Sequence, residues 1–182
     1  IKRGTGELEG VSYEELTYEG YGIDGVAIIC ESLTDNRNRT TPEIRAILER
    51  NGGSMGTAGS VAWNFERKGS ITIEGAVDED QLMEDAIDAG ADDVAVNEEG
   101  ATVTTDPSAM MDIREALEKK GYKVTDTENI FVPKTTVTIS DAEKARKMLK
   151  LFDLLDSHDD VQNVYANFEF TDEVNEAIAN DD

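Results

Sequence analysis

The chain has 182 residues, with 17 Lys and Arg against 40 Asp and Glu, a net charge of −23 and 38% hydrophobic residues. That length suits one domain or two small ones with a real core, and regularly alternating segments exclude a disordered acidic polymer. A surface this acidic repels phosphate backbones on average, so any nucleic-acid contact is local or made by something outside the chain.

The charge is uneven. Residues 1–68 carry 8 basic and 11 acidic side chains, residues 69–128 carry 4 and 17, and residues 129–182 carry 5 and 12. The middle is therefore the acidic part, which suggests two modules with different surfaces. No apolar run approaches the ~20 residues of a membrane span, and no signal peptide is expected. The lone Cys30 precludes an internal disulfide and fits a reducing compartment. The expectation is a cytoplasmic protein without a membrane partner. The start, Ile1-Lys2-Arg3 before Gly4-Thr5-Gly6, reads like the end of a helix. A piece whose N-terminal region is missing is expected.

In chain order, Tyr13, Leu16 and Tyr18 alternate as an edge strand over 13–21, with a turn at 22–25. Residues 26–30 are continuously apolar, as in a strand buried on both faces. Residues 35–40 read as a polar loop. A helix follows, opened by Thr41 with Pro42 at its first position or by a Thr40–Glu43 capping box. Its inner face is Ile44, Ile47 and Leu48, and Asn51-Gly52-Gly53 ends it. Val61, Trp63 and Phe65 alternate as a strand over 60–66, with Trp63 and Phe65 read as core.

From 69 onward, Ile71 and Ile73 mark a strand. Asp78 and Gln81 open a helix closed by Gly90. Val94 and Val96 lead through a hairpin to 101–105. Asp106-Pro107 opens a second helix closed by Gly121, and 122–125 begins a last strand. This is the βαββαβ order of a ferredoxin-like domain. The flanks make a second such set: strand 26–33, helix 42–50, strand 60–66, strand 130–139, a helix from Ser140-Asp141-Ala142-Glu143, and strand 161–170. The simplest reading is an α+β chain of two ferredoxin-like domains, 69–128 inserted into 1–68 plus 129–170. Two sequential domains would leave incomplete sheets with exposed edges. Residues 171–182 read as a partly frayed acidic tail.

Catalytic chemistry finds little support. One His and one Cys leave no zinc set and no Cys–His or Ser–His–Asp arrangement. His158 reads as a helix-end surface residue and Cys30 as a core residue. In 35–39, arginines occupy positions where an EF-hand has ligands. Asp92-Asp93 and Asp159-Asp160 read as solvated pairs. No catalytic residue, metal or cofactor is expected. The glycine loop 52–60 lacks a P-loop lysine and follows a helix instead of preceding one. It reads either as a mobile connection or as a backbone-mediated binding loop.

The best candidate site is Asp35-Asn36-Arg37-Asn38-Arg39 with its flanking threonines. Guanidinium forks, amides and a helix N-terminus suit a phosphate or carboxylate. The rival reading is a set of turns with solvated arginines. Arg45, Arg50, Arg67 and Lys68 add charge to the same module. The expected nucleic-acid contacts are Asn36, Arg37, Asn38, Arg39, Arg45, Gly52, Gly53 and Lys68. The RNA-binding signature of an RRM breaks at Arg67-Lys68-Gly69-Ser70-Ile71.

Several strings together resemble the YebC/PmpR family: Gly4-Thr5-Gly6-Glu7, Tyr18-Glu19-Gly20-Tyr21-Gly22, Leu33-Thr34-Asp35-Asn36-Arg37-Asn38-Arg39-Thr40, Asn51-Gly52-Gly53 with Gly59-Ser60-Val61, and Asp159-Asp160-Val161-Gln162-Asn163-Val164-Tyr165-Ala166-Asn167-Phe168. The family includes the mitochondrial translational activator of cytochrome c oxidase subunit I. The resemblance implies a basic helical N-terminal domain followed by two α/β domains, one inserted in the other. The chain resembles members only from the end of that first domain onward. It further implies a non-enzymatic factor acting on DNA as a transcriptional regulator, or on RNA and the ribosome in translation, through contacts that need the basic domain. The alternative is an acidic interaction module that docks a basic protein.

Overall fold

The structure, a computed structural model, describes residues 12–181. Its described residues form two compact units. One runs up to Phe65 and resumes at Pro133, and the other is Glu66–Val132. The architecture is α+β, with two four-stranded antiparallel sheets, a two-stranded parallel pair and five α-helices.

The first unit is built on β2 (Ala27–Thr34), whose apolar run is buried. Strand β1 (Glu14–Tyr21) pairs antiparallel with it, from Glu14↔Thr34 to Tyr21↔Ala27. Strand β9 (Val161–Ala166) pairs on the other side, with a bulge at Glu31/Ser32. The two-residue β3 (Ser54–Met55) extends β1, giving the order β3-β1-β2-β9. Helices α1 (Arg37–Arg50) and α4 (Ala142–Asp156) supply the rest of the core. Ile44 and Leu48 from α1 meet Ala145, Met148, Leu151 and Leu155 from α4 over Val26, Ile28 and Cys30. Each fully buried aliphatic side chain there stabilises the fold by about 1.5–3 kcal/mol relative to exposure.

The second unit runs β4 (Phe65–Glu74), α2 (Glu79–Ala89), β5 (Asp93–Val96), β6 (Gly100–Thr105), α3 (Met110–Lys119) and β7 (Val124–Pro133). Its order, β5-β6-β4-β7, is the split βαβ plan of a ferredoxin-like sheet. Ile71, Ile73 and Val103 face Leu82, Ile113 and Leu117. The Asp78 carboxylate accepts from the Gln81 N–H to open α2, and Gly90, at φ 103°, closes it.

Several flank elements differ from expectation. Helix α1 begins at Arg37, five residues before the position expected from Pro42, so 37–40 is helix and Pro42 lies inside it. Residues 62–64 form a 3-10 turn instead of a strand. Its period of three buries Val61 and Asn64 and turns Trp63 outward to 68% exposure, so Trp63 is not core, whereas Phe65 is. The segment 130–139 divides between β7 and β8 (Val137–Ile139), and β8 pairs parallel with β10 (Phe168–Phe170). In the first sheet, β1 fills the place that the sequence pattern assigned to these strands. The stretch 171–182 is helical from Asp172 to Ala179 (α5) rather than frayed. The Thr171 hydroxyl caps it, and Val174 is buried in the first core. Among the described residues no helix is long and apolar enough to cross a membrane.

Candidate nucleic-acid interface

Arg37, Asn38, Arg39 and Arg45 spread along α1, a helix about 20 Å long, with Asn36 at its N-cap and Gly52 and Gly53 beyond its end, instead of converging. At its start, the Asn36 N–H donates to Thr34 Oγ1 (2.9 Å), and Asn36, Arg37, Asn38 and Arg39 are exposed. Arg39 is already engaged. Its Nη2 lies 2.8 Å from Asp160 Oδ2 and 3.4 Å from Asp35 Oδ1. The buried Thr40 hydroxyl also donates to Asp160 Oδ2 (2.7 Å). Burial pushes the Asp160 carboxyl up, but the bonds from Arg39 and Thr40 outweigh it and hold the group below the ordinary carboxylate range. Among the described residues, Arg37 has only a long contact to Glu14 (3.7 Å), and Arg45 approaches Met55 Sδ at 3.8 Å.

His158 lies beside this knot. Its Nδ1 accepts from the Asp160 N–H (3.1 Å), which leaves Nε2 to donate to Glu43 Oε1 (2.8 Å). It therefore ties two elements together instead of sitting solvated at a helix end. Glu43, His158 and Asp160 have potential ligand atoms within 4.8 Å of one another. A cation there would meet the Arg39 guanidinium and require both imidazole bonds to break, so the cluster serves as a polar clasp on α1 better than as a metal centre.

At the other end of α1, Gly52 adopts a left-handed conformation (φ 85°). Gly53 lies so close to β1 that a Cβ would overlap the Tyr21 carbonyl. The glycine loop beyond is wrapped around the buried Glu19. The Glu19 carboxylate accepts from the N–H groups of Gly59 (2.6 Å), Val61 (3.0 Å) and Ala62 (2.7 Å). Burial raises this carboxyl, and the three backbone bonds more than offset it, so it is held below its usual value. The backbone donors that a bound phosphate would use are thus taken by the chain's own carboxylate. Two exposed aromatics flank the loop. Trp63 Nε1 (2.9 Å) and the Tyr21 hydroxyl (3.3 Å) both donate to the Ser60 carbonyl.

Beside Gly52 is a cavity of about 440 Å³ walled by Ile23, Arg50, Asn51, Lys144, Lys147 and Lys150. Lys144 reaches Asp24 at 3.2 Å, and Lys147 is 3.9 Å from Glu143. Arg50 and Lys150 have no carboxylate within 4.0 Å among the described residues. Lys68 does not join this unit. Strand β4 carries it into the second unit, where its Nζ binds Asp92 at 2.8 Å.

A family profile described as the TACO1/YebC second and third domain matches residues 13–168. The chain belongs to the TACO1/YebC family. It is 51% identical over 181 residues to a "probable transcriptional regulatory protein" of Dictyoglomus turgidum, covering 98% of this chain and 72% of that one. It is 53% identical over 178 residues to a protein of the same description from Geobacter sulfurreducens, with the same coverage. Among solved structures it is similar to Aq1575 of Aquifex aeolicus, a conserved hypothetical protein. The TM-score is 0.87 and the identity 44%, over 94% of this chain and 71% of that one.

Within this TACO1/YebC chain, the expected residues Arg37 and Arg45 lie on α1 and Gly52 lines the cavity, whereas the α4 lysines and the exposed aromatic pair are not among those expected from the sequence. The lysines follow Arg50 by more than 90 positions, and only the packing of α1 against α4 joins them. A signal was present in 144–150, where four of seven residues are basic.

Proposed function

We propose that the chain is a non-enzymatic regulator of gene expression that works on nucleic acid, as a transcriptional regulator or as a ribosome-associated translation factor. The names of its relatives support regulation. One observation carries the nucleic-acid reading. Among the described residues, Arg37, Arg45 and Arg50 stand exposed along α1 with at most one long ion pair. In the second unit, by contrast, every cation has a partner. Lys68, Arg114, Lys119, Lys120 and Lys123 pair with carboxylates, and Arg67 lies 4.1 Å over the Phe131 ring. Cations left unneutralised in so acidic a chain suit a ligand that is itself an anion.

The experiment is ribosome co-sedimentation and a DNA mobility shift at low salt, for the unaltered chain and for Arg37→Ala/Arg45→Ala. Weaker binding with an unchanged melting temperature supports α1 as the contact, and the binding should fall with salt. Unchanged binding removes α1, and no binding by either chain overturns the reading. Arg39 is left out because it holds Asp160.

The second unit supports a second reading. Its internally paired cations leave an acidic surface suited to a basic protein partner. Pull-down that survives nuclease but is lost when carboxylates of 69–128 are neutralised would favour docking to a protein.

A further inference from the structure

We propose that the cavity between the end of α1 and α4, with the neighbouring Tyr21–Trp63 pair, forms a binding site for single-stranded nucleic acid, phosphate in the cavity and base on the aromatic pair. This deepens the nucleic-acid reading and rests on it.

The observations on cavity and rings are independent. The cavity gathers four cations from two elements, two of them without carboxylate partners, in a chain of net charge −23. Lys144, Lys147 and Lys150 occur every third residue, so they follow one another along a side of α4. The backbone turn at Gly52 leaves room between them and Arg50, and Ile23 gives the cavity one apolar wall. A carboxylate ligand would satisfy the charge equally well, but it would leave the aromatic pair unexplained.

Trp63 is 68% exposed and Tyr21 37%, in a chain that otherwise buries its aromatics at least partly. Both are held in place. Each donates its polar hydrogen to the Ser60 carbonyl, and Glu19 fixes the loop carrying that carbonyl through three backbone bonds. A rigid, outward-facing ring loses little entropy on stacking. Tyr21 joins the two halves of the site. Its carbonyl abuts Gly53, next to the cavity-lining Gly52, while its hydroxyl reaches the Trp63 loop. Unpaired cations beside fixed aromatic faces are the combination that sequence-tolerant single-strand binding uses.

Trp63 is the only tryptophan, so its emission reports the site directly. The test titrates the 182-residue chain with labelled oligouridylate of about ten nucleotides, a length within single-strand site sizes. Anisotropy and Trp63 emission are read together. The expected result is quenching of Trp63 that saturates with the same Kd as anisotropy. Arg50→Ala/Lys150→Ala should bind about tenfold more weakly at low salt. It should also flatten the slope of log affinity against log salt by about 1.4, the share of two phosphates on a single strand. Trp63→Ala should weaken binding with the salt slope unchanged.

If the oligonucleotide binds without altering Trp63 emission, or the double variant binds as the unaltered chain does, this site is wrong while the regulator reading stands. If the unaltered chain binds no oligonucleotide at low salt, this site is wrong, and the regulator reading falls only if ribosome co-sedimentation and the DNA mobility shift fail as well. If polyglutamate displaces the oligonucleotide as well as unlabelled oligouridylate does, the occupant is an acidic protein and the nucleic-acid assignment fails. Trp63 emission in the unaltered chain decides the matter even where a variant does not fold.

Discussion

Arg39 Nη2 lies 2.8 Å from Asp160 Oδ2, across 121 positions of sequence, so the arginine-bearing first turn of α1 that looks open to an anion closes on a carboxylate of its own chain. Thr40 adds a second donor to the same oxygen. The knot fixes the start of α1 against the turn that precedes β9.

Its loss has a predictable pH signature. Asp160→Asn should destabilise the first unit by about 1–3 kcal/mol, the range for breaking charged hydrogen bonds at a partly buried site. Asp160 is held below the ordinary carboxylate range, so its contribution is full above the unfolded value near 4 and fades as pH falls through the folded value. Thermal melts should show a constant gap between variant and unaltered chain from about pH 7 to 5, closing below about pH 4. A gap that widens in acid would contradict the assignment.

Glu19 should matter more than a carboxylate beside a glycine loop ordinarily does. Glu19→Ala strands three backbone N–H groups and should cost about 2–3 kcal/mol. Hydrogen exchange should speed up at Gly59, Val61 and Ala62, which Glu19 binds. Glu19→Gln, which keeps one acceptor oxygen, should recover part of both effects.

The Cys30 thiol is pushed up to about 12, first by burial and then by Glu31 and Asp156. A thiolate-directed reagent at about pH 8 should therefore leave Cys30 unmodified until the first core opens. The rate of labelling should follow global unfolding as denaturant rises. Fast labelling of the native chain would contradict the burial.

In the second unit the Tyr122 hydroxyl donates to Asp85 Oδ2 at 2.6 Å. Burial, followed by the bond and charge of Asp85, pushes this phenol up to about 12. An ultraviolet titration should show one tyrosine ionising last. Asp85→Asn should bring that step toward the ordinary value, by removing the charge while leaving the burial.

Much of this was legible in the sequence. The second unit is legible element by element, because its turns and helix ends carry local signals and each strand has its own period. Asp78 opens α2 and Gly90 closes it without help from distant residues. The first unit was harder because distant partners override its local signals. Pro42 suggested a helix start, yet Asn36 begins the helix and Thr34 takes its N–H. Trp63 alternates with Val61 and Phe65 as strand residues do, but Glu19, more than 40 positions upstream, bends the segment into a 3-10 turn. The family strings point to the Arg37–Arg39 segment, and they carry no sign that Asp160 and Arg39 satisfy each other. The α4 lysines gain meaning only when Arg50 stands opposite them.

Strands β4 and β7, the first and last of the second unit, are neighbours in its sheet. The chain therefore leaves the first unit and returns to it at nearly one point. There, Asn64 Oδ1 accepts from both the N–H and the hydroxyl of Thr135. Once folded, 66–132 acts as a staple and not as a long loop. Holding its ends together removes on the order of 3 kcal/mol of closure entropy from assembly of the two halves of the first unit. All the strands of the second unit precede α4 and β9 in the chain, so the first unit can complete its sheet and core only after 66–132 has been synthesised.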